Sequence, residues 1–227
     1  MKLNHIFKVN LLLVVAMFGL SIGTWWHLPE ATQIATHFDL NGIPTGYMGK
    51  TGGLLLLPGM ALLFVLTMPI LPKIEPYKNN IDRSAKAYNV FSLALVIFLG
   101  VVHGAIVLTA LGWAIDIPTT VVLSLGIFLI VFGNYLSKIR RNHSFGVRTP
   151  WTLSSDLAWH KTHRWGSWLT VLHGVGLLIT AWRSHTILPA IVLISYTIVN
   201  IAILPICSYF WWKSDPQRLV PLRGSNE

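Results

Sequence analysis

Six stretches of this chain run without a single Asp, Glu, Lys or Arg: residues 9–29, 51–72, 87–115, 117–137, 165–182 and 184–212, holding 21, 22, 29, 21, 18 and 29 residues. An α-helix rises about 1.5 Å per residue, so roughly 20 apolar residues cross a hydrocarbon core about 30 Å thick. The pattern predicts six transmembrane helices. A membrane β-barrel would instead show segments of about ten alternating residues, and these runs are continuous. Composition agrees, with 53% of the 227 residues hydrophobic and 11% charged, a balance foreign to soluble globules. The single cysteine, Cys207, falls in the sixth window, which excludes an internal disulfide and thiolate metal clusters. The first window has two readings. Lys2 and Lys8 with Ser21 and Gly23 fit a cleaved signal peptide, whereas Trp25 and Trp26 favour a retained helix anchored at the interface.

Charge placement orients the helices. Formal net charge is +9, and with a cytoplasmic N-terminus fifteen of the 17 Lys and Arg fall on inner segments. These are Lys2, Lys8, Lys73, Lys78, Arg83, Lys86, Lys138, Arg140, Arg141, Arg148, Lys161, Arg164, Lys213, Arg218 and Arg223, against Lys50 and Arg183 outside. The positive-inside rule then puts both termini in the cytoplasm. Basicity is accounted for by topology and anionic headgroups, so no direct nucleic-acid binding is expected.

Two connections are too long to be turns. The inner one, residues 138–164, opens with a basic collar of Lys138, Arg140 and Arg141. Gly146 permits a positive φ, and Pro150 forces Thr149 towards an extended backbone. Ser154 or Ser155 can cap the helix that follows, with Asp156 in its first turn. Asp156, Trp159, His160 and His163 recur at i, i+3, i+4 and i+7 and so share one helical face, and Trp151 and Trp159 suit headgroup depth. Arg148 can pair with Asp156 or bind a headgroup phosphate. The outer connection, residues 27–50, carries His27, Glu30, His37, Asp39, Asn41-Gly42 and Pro44, read either as a structured cap on the bundle or as a contact surface for an extracellular ligand.

The residues Asn134-Tyr135, Lys138, Asn142, Gly146, Arg148, Thr149, Pro150, Trp151, Thr152, Leu153, Asp156, Trp159, Thr162, His163 and Arg164 resemble the signature of the SdpI family of immunity proteins. The outer segment, with Leu28-Pro29, His37, Phe38, Asp39, Asn41-Gly42, Pro44, Gly46-Tyr47 and Lys50, is similar to a domain of unknown function that commonly precedes that signature. Ser137 and Arg141 depart from the family, which usually carries prolines near the collar. The resemblance implies a multi-pass protein of the bacterial cytoplasmic (inner) membrane that gives resistance to a secreted toxin peptide. It also implies a signalling receptor that holds a cytoplasmic transcriptional repressor at the membrane.

Inside the windows the informative polar residues are His103, His173 and Asn200, which should face the bundle interior. Gly104 and Gly174 follow the two histidines, and Gly100 with Gly104 makes a GxxxG, so close helix approach is expected at both sites. Asp156, His160 and His163, with His143, offer ligands at spacings a metal can use. Lacking HExxH or cysteine, they are read as capping and hydrogen-bonding groups, and no metal or cofactor is expected. Gly49-Lys50-Thr51 lacks the upstream glycine of a phosphate loop, its place being taken by Pro44.

The reading is therefore an all-α polytopic membrane protein of six transmembrane helices, N-in and C-in, non-enzymatic. It has an N-terminal hairpin (1–72, outer loop 27–50), a third helix with its loops (73–118) and an SdpI-like membrane domain (119–227, inner loop 138–164). Its rivals are a small transporter or channel lined by His103, His173 and Asn200, and a membrane-embedded metal-dependent enzyme built on Asp156 with His160 or His163.

Overall fold

A computed structural model describes residues 4–39 and 41–218. Lys2 and Arg223 lie outside the described residues. The fold is a helical bundle of α1 (Asn4–His27), α2 (Lys50–Thr67), α3 (Leu71–Ile74), α4 (Lys78–Arg83), α5 (Ala85–Ala110), α6 (Ile117–Leu136), α7 (Pro150–Leu153), α8 (Asp156–Thr180), α9 (Leu188–Ile198) and α10 (Leu204–Lys213). Among the described residues, five helical stretches are long and apolar enough to cross a membrane: His5–His27, Lys50–Ile74, Ala85–Ala110, Ile117–Leu136 and Leu188–Lys213. The fifth predicted window does not stand out in this way. Its helix starts nine residues earlier, at Asp156, and spends its first turns on the charged segment ending at Arg164.

Helix ends follow local chemistry. The Asp116 carboxylate accepts the Thr119 amide at 3.1 Å and Pro118 occupies the first turn of α6, where its missing N–H costs nothing. Pro205 has no amide to offer the carbonyl four residues back, and the helix widens into a π turn at Val199–Ile203 that separates α9 from α10. Asn200 lies in that turn and donates to the Tyr196 carbonyl at 2.9 Å.

α8 runs antiparallel along the whole of α6. Ser167 Oγ donates to the Gly133 carbonyl at 2.6 Å, and a Cβ added at Gly174 would lie 2.7 Å from the Gly126 carbonyl. Without side chains at Gly126, Gly133 and Gly174 the two backbones touch, which in lipid gains dispersion contacts that bulkier residues forfeit. The GxxxG of α5 plays no such part, because nothing lies within 4 Å of a Cβ at Gly104 and only Met17 Sδ, at 3.9 Å, approaches one at Gly100.

The outer connection departs from all-α. Gln33–Phe38 (β1) and Pro44–Gly49 (β2) pair antiparallel. Asp39 Oδ1 accepts the amides of Asn41 and Ile43, both at 2.8 Å, and Gly42 takes φ +76°, a short Asx-type turn that closes the hairpin. Buried Ile34 docks β1 against Leu54, Ile106 and Ile117 at one end of the bundle.

Candidate functional site

The other end of the bundle is organised around the segment joining α6 to α8. Asn142 is fully buried. Its Oδ1 accepts the amides of Ser144 (2.9 Å) and Phe145 (2.6 Å) while its Nδ2 donates to the Arg140 carbonyl (2.7 Å). One amide side chain thus folds the loop on itself, with both lone pairs of Oδ1 and one Nδ2 hydrogen used within the loop. Gly146 has φ +113°, and a Cβ there would stand 2.3 Å from His163 Nε2. That nitrogen accepts the Val147 amide at 3.0 Å, while Nδ1 faces the Trp159 carbonyl at 2.8 Å. One partner is a donor and the other an acceptor, so His163 is neutral with its proton on Nδ1. Burial pushes its pKa down to about 4. Thr149 then caps α7 in a reciprocal box with Thr152, and Ser155 caps α8.

The loop is tied to its surroundings on every side. Trp159 Nε1 donates to the Ile139 carbonyl at 2.7 Å, Arg140 N to Ser84 Oγ at 2.8 Å and Asn80 Nδ2 to the Arg141 carbonyl at 2.8 Å. From the far side, Thr149 Oγ1 meets Ser208 Oγ of α10 at 3.0 Å and Ser155 Oγ donates to Asp215 at 2.5 Å. The residue that sequence reasoning missed is Glu75, 1% exposed, which reaches in from the α3–α4 connection. Its carboxylate accepts the His143 amide (3.0 Å), the Tyr77 amide (3.2 Å) and the Ser144 hydroxyl. Burial pushes that carboxyl up, but the bonds from Ser144, His143 and Tyr77 outweigh it and hold the pKa below the usual carboxylate value. Local sequence gave one signal for it, a lone acid between Pro72 and Pro76 in a basic connection.

Several expectations are corrected. Asp156 pairs with Arg141, Nε to Oδ1 at 3.1 Å, and not with Arg148, whose guanidinium donates to the His143 carbonyl. Arg141 stands where the family usually has proline, and it also donates to the Leu153 carbonyl at 3.2 Å. The presumed single face of α8 is cut by the protein surface. Asp156 and His160 are exposed, whereas Trp159 and His163 are buried and stacked on each other at 4.0 Å. Trp159 is therefore a core residue with its ring turned into the protein; Trp151 is half-buried against Tyr209. Among the described residues no three His, Cys, Asp or Glu side chains converge as metal ligands.

The family-motif positions thus divide. Asn142, Thr149, Thr152, Thr162 and His163 are buried and Gly146 is half-buried, all in the interior of the loop, whereas Asn134, Lys138, Arg148, Pro150, Asp156 and Arg164 are exposed. Only the second group is available to a partner.

The intramembrane polar residues do not share a path. His103, wholly buried, faces α1 through Ser21 Oγ (3.1 Å) and the Met17 carbonyl (3.2 Å), and Ser21 in turn donates to the Leu54 carbonyl of α2. His173 faces the Leu169 carbonyl of its own helix and packs edge-on against Tyr196, the residue whose carbonyl Asn200 holds. At the hairpin end, His37 contacts its neighbour Thr36, while Lys50 is buried over Trp25 and ion-paired with Glu30 at 2.7 Å. Gly42 packs under the ring of His185, whose Nδ1 meets the Asn41 carbonyl (3.0 Å) and whose Nε2 meets Asp116 (2.8 Å).

Residues 138–209 match the SdpI/YfhL protein family, and residues 12–62 match a domain of unknown function, DUF1648. The chain is 28% identical over 207 residues to the immunity protein SdpI of Bacillus subtilis (strain 168), covering 90% of this chain and 95% of that relative. No solved structure matches it significantly. The matched segment contains the loop from Lys138 onwards, α7, α8 and most of the final helical pair, so this membrane protein carries a region similar to the SdpI/YfhL family, preceded by one similar to DUF1648.

Proposed function

We propose that the chain is a non-enzymatic resistance protein of the bacterial cytoplasmic membrane, protecting its host against a secreted toxin peptide. The observation that carries this is the similarity to an immunity protein along nearly the whole of both chains. In this reading six helices cross the bilayer with both termini inside, α8 being the fifth span. Support comes from the ends of α8. Trp159 is bonded beside the C-terminus of α6, and the chain beyond α8 reaches Asp116 at the N-terminus of α6, so α8 travels the same distance as a helix that is itself long enough to cross. The hairpin then faces outwards, where a peptide arrives, and the collar faces the cytoplasm.

Toxin engagement biases the loop between states of different affinity for a cytoplasmic repressor, which binds the exposed motif side chains, above all Arg148 and Asp156. Sensitive bacteria expressing the chain and challenged with secreted membrane-active peptides test this. The wild-type chain should protect against its cognate peptide, and Arg148→Ala and Asp156→Ala should lose protection at unchanged abundance in the membrane. Survival equal to wild type in both variants would remove the inner loop from the mechanism.

A further inference from the structure

Beside the collar, α6 and α8 flank a cavity of about 500 Å³. Lys138, His160 and Arg164 line it together with Asn134 and Ser137, and no carboxylate does. Among the described residues neither Lys138 nor Arg164 is ion-paired with an acid, and Lys138 Nζ lies over the Tyr135 ring at 4.3 Å. Two uncompensated cations sharing one concave site form a region of positive potential with hydrogen-bond donors and no internal anion to neutralise it.

A second cavity, about 740 Å³, adjoins the first and shares Arg164 and Trp168 as its wall. Apart from Lys161 and Arg164 its lining is apolar and aromatic, with Trp165, Leu172 and Trp211 continuing away from the collar along α8 and α10. Trp168 and Leu172 are largely exposed, as side chains facing lipid are. A basic pocket thus opens onto an apolar, tryptophan-edged surface at the level where the charged segment of α8 gives way to its apolar one. Free anions match the first half only. A phosphodiester headgroup carrying acyl chains matches both.

We propose that this is a binding site for an anionic phospholipid, its phosphate held by Lys138 and Arg164 and its chains lying over Trp168 and Leu172. The site is built by α6, α8 and α10 and is separate from the Arg148 and Asp156 surface, so it stands or falls independently of toxin protection.

The test is native mass spectrometry of the full chain released from nanodiscs of phosphatidylcholine mixed with phosphatidylglycerol. Wild-type protein should retain phosphatidylglycerol in preference to phosphatidylcholine. The K138Q/R164Q double variant should lose that preference on the order of tenfold, K138R/R164K should keep most of it, and R183Q, at the opposite end of the bundle, should match wild type. Thermal unfolding in the same nanodiscs provides a second readout, with phosphatidylglycerol raising the midpoint of wild type and not of K138Q/R164Q. Equal retention of both lipids by wild type, or an undiminished preference in K138Q/R164Q, would overturn the proposal. So would inorganic phosphate stabilising the protein in pure phosphatidylcholine as well as phosphatidylglycerol does, since the site would then be one for free anions.

Discussion

Gly146 and His163 illustrate how much a single contact constrains this loop. Gly146 is in a left-handed backbone region, and its α-carbon faces an imidazole nitrogen already used by the Val147 amide. Gly146→Ala would add both torsional strain and a clash, a destabilisation of about 1–3 kcal/mol visible as a lowered unfolding midpoint. His163 adds a pH dependence of definite sign. Its folded pKa, about 4, lies below the ordinary 6.5, so the unfolded chain binds the extra proton first. Stability from this residue is complete above pH 6.5 and drains away as pH falls towards 4, roughly 3 kcal/mol in all. His163→Gln should flatten that part of the stability profile in detergent; an unchanged slope would mean that another group titrates there. The sequence announced Gly146 and Thr149 through the pre-proline pattern. It could not announce that His163 is a neutral acceptor inside the core, because two histidines three positions apart look alike until the surface between them is known.

Between elements, the hairpin is fastened by His185. Both of its ring nitrogens face groups that can only accept, the Asn41 carbonyl and the Asp116 carboxylate, and a neutral imidazole has one N–H. The clasp is therefore complete only with His185 protonated. The bonds to Asp116 and Asn41 raise its pKa, and Asp116 is held low because bonds from Thr119 and His185 outweigh the upward push of burial. The sign for His185 is that of a group with raised pKa, its contribution present in acid and lost as pH rises through the folded value. Asp116 sets the lower edge, losing its contribution as pH falls through its depressed value. A spin label at Tyr47→Cys, in a Cys207→Ser background, should gain mobility as pH rises past that upper edge, and His185→Phe should give the mobile spectrum at all pH values. Packing of α6 on α8 is a separate matter. Gly174→Leu must push apart backbones already in contact and should cost about 1–3 kcal/mol, whereas Gly104→Ala, with open space around it, should be close to neutral. Sequence offered both glycines as equals. Which one meets a neighbour depends on the rotation of each helix, and apolar residues surround these helices on all sides, leaving no periodic stripe to fix that rotation.

For the molecule as a whole, uncharged run length located most of the helical content, since lipid solvates long apolar helices and little else. Its failures have physical causes. α8 hides its span behind nine preceding residues of the same helix, six of them charged or polar, and the outer connection forms strands because Asp39 and Gly42 close a turn that hydropathy does not register. Glu75 was invisible for a different reason. Apart from Tyr77 its partners, His143 and Ser144, lie 68 and 69 residues away, and only the bundle brings the two basic connections together. The account depends on the hairpin and the collar facing opposite compartments, with α2, α5 and α6 crossing between them. Full-length protein with Cys207→Ser and one new cysteine, at Asn41 or at Arg148, both exposed, can be labelled in intact cells with a membrane-impermeant maleimide. The account predicts labelling of Asn41→Cys from outside and of Arg148→Cys only after permeabilisation; both cysteines reacting in intact cells, or the reverse pattern, would contradict it.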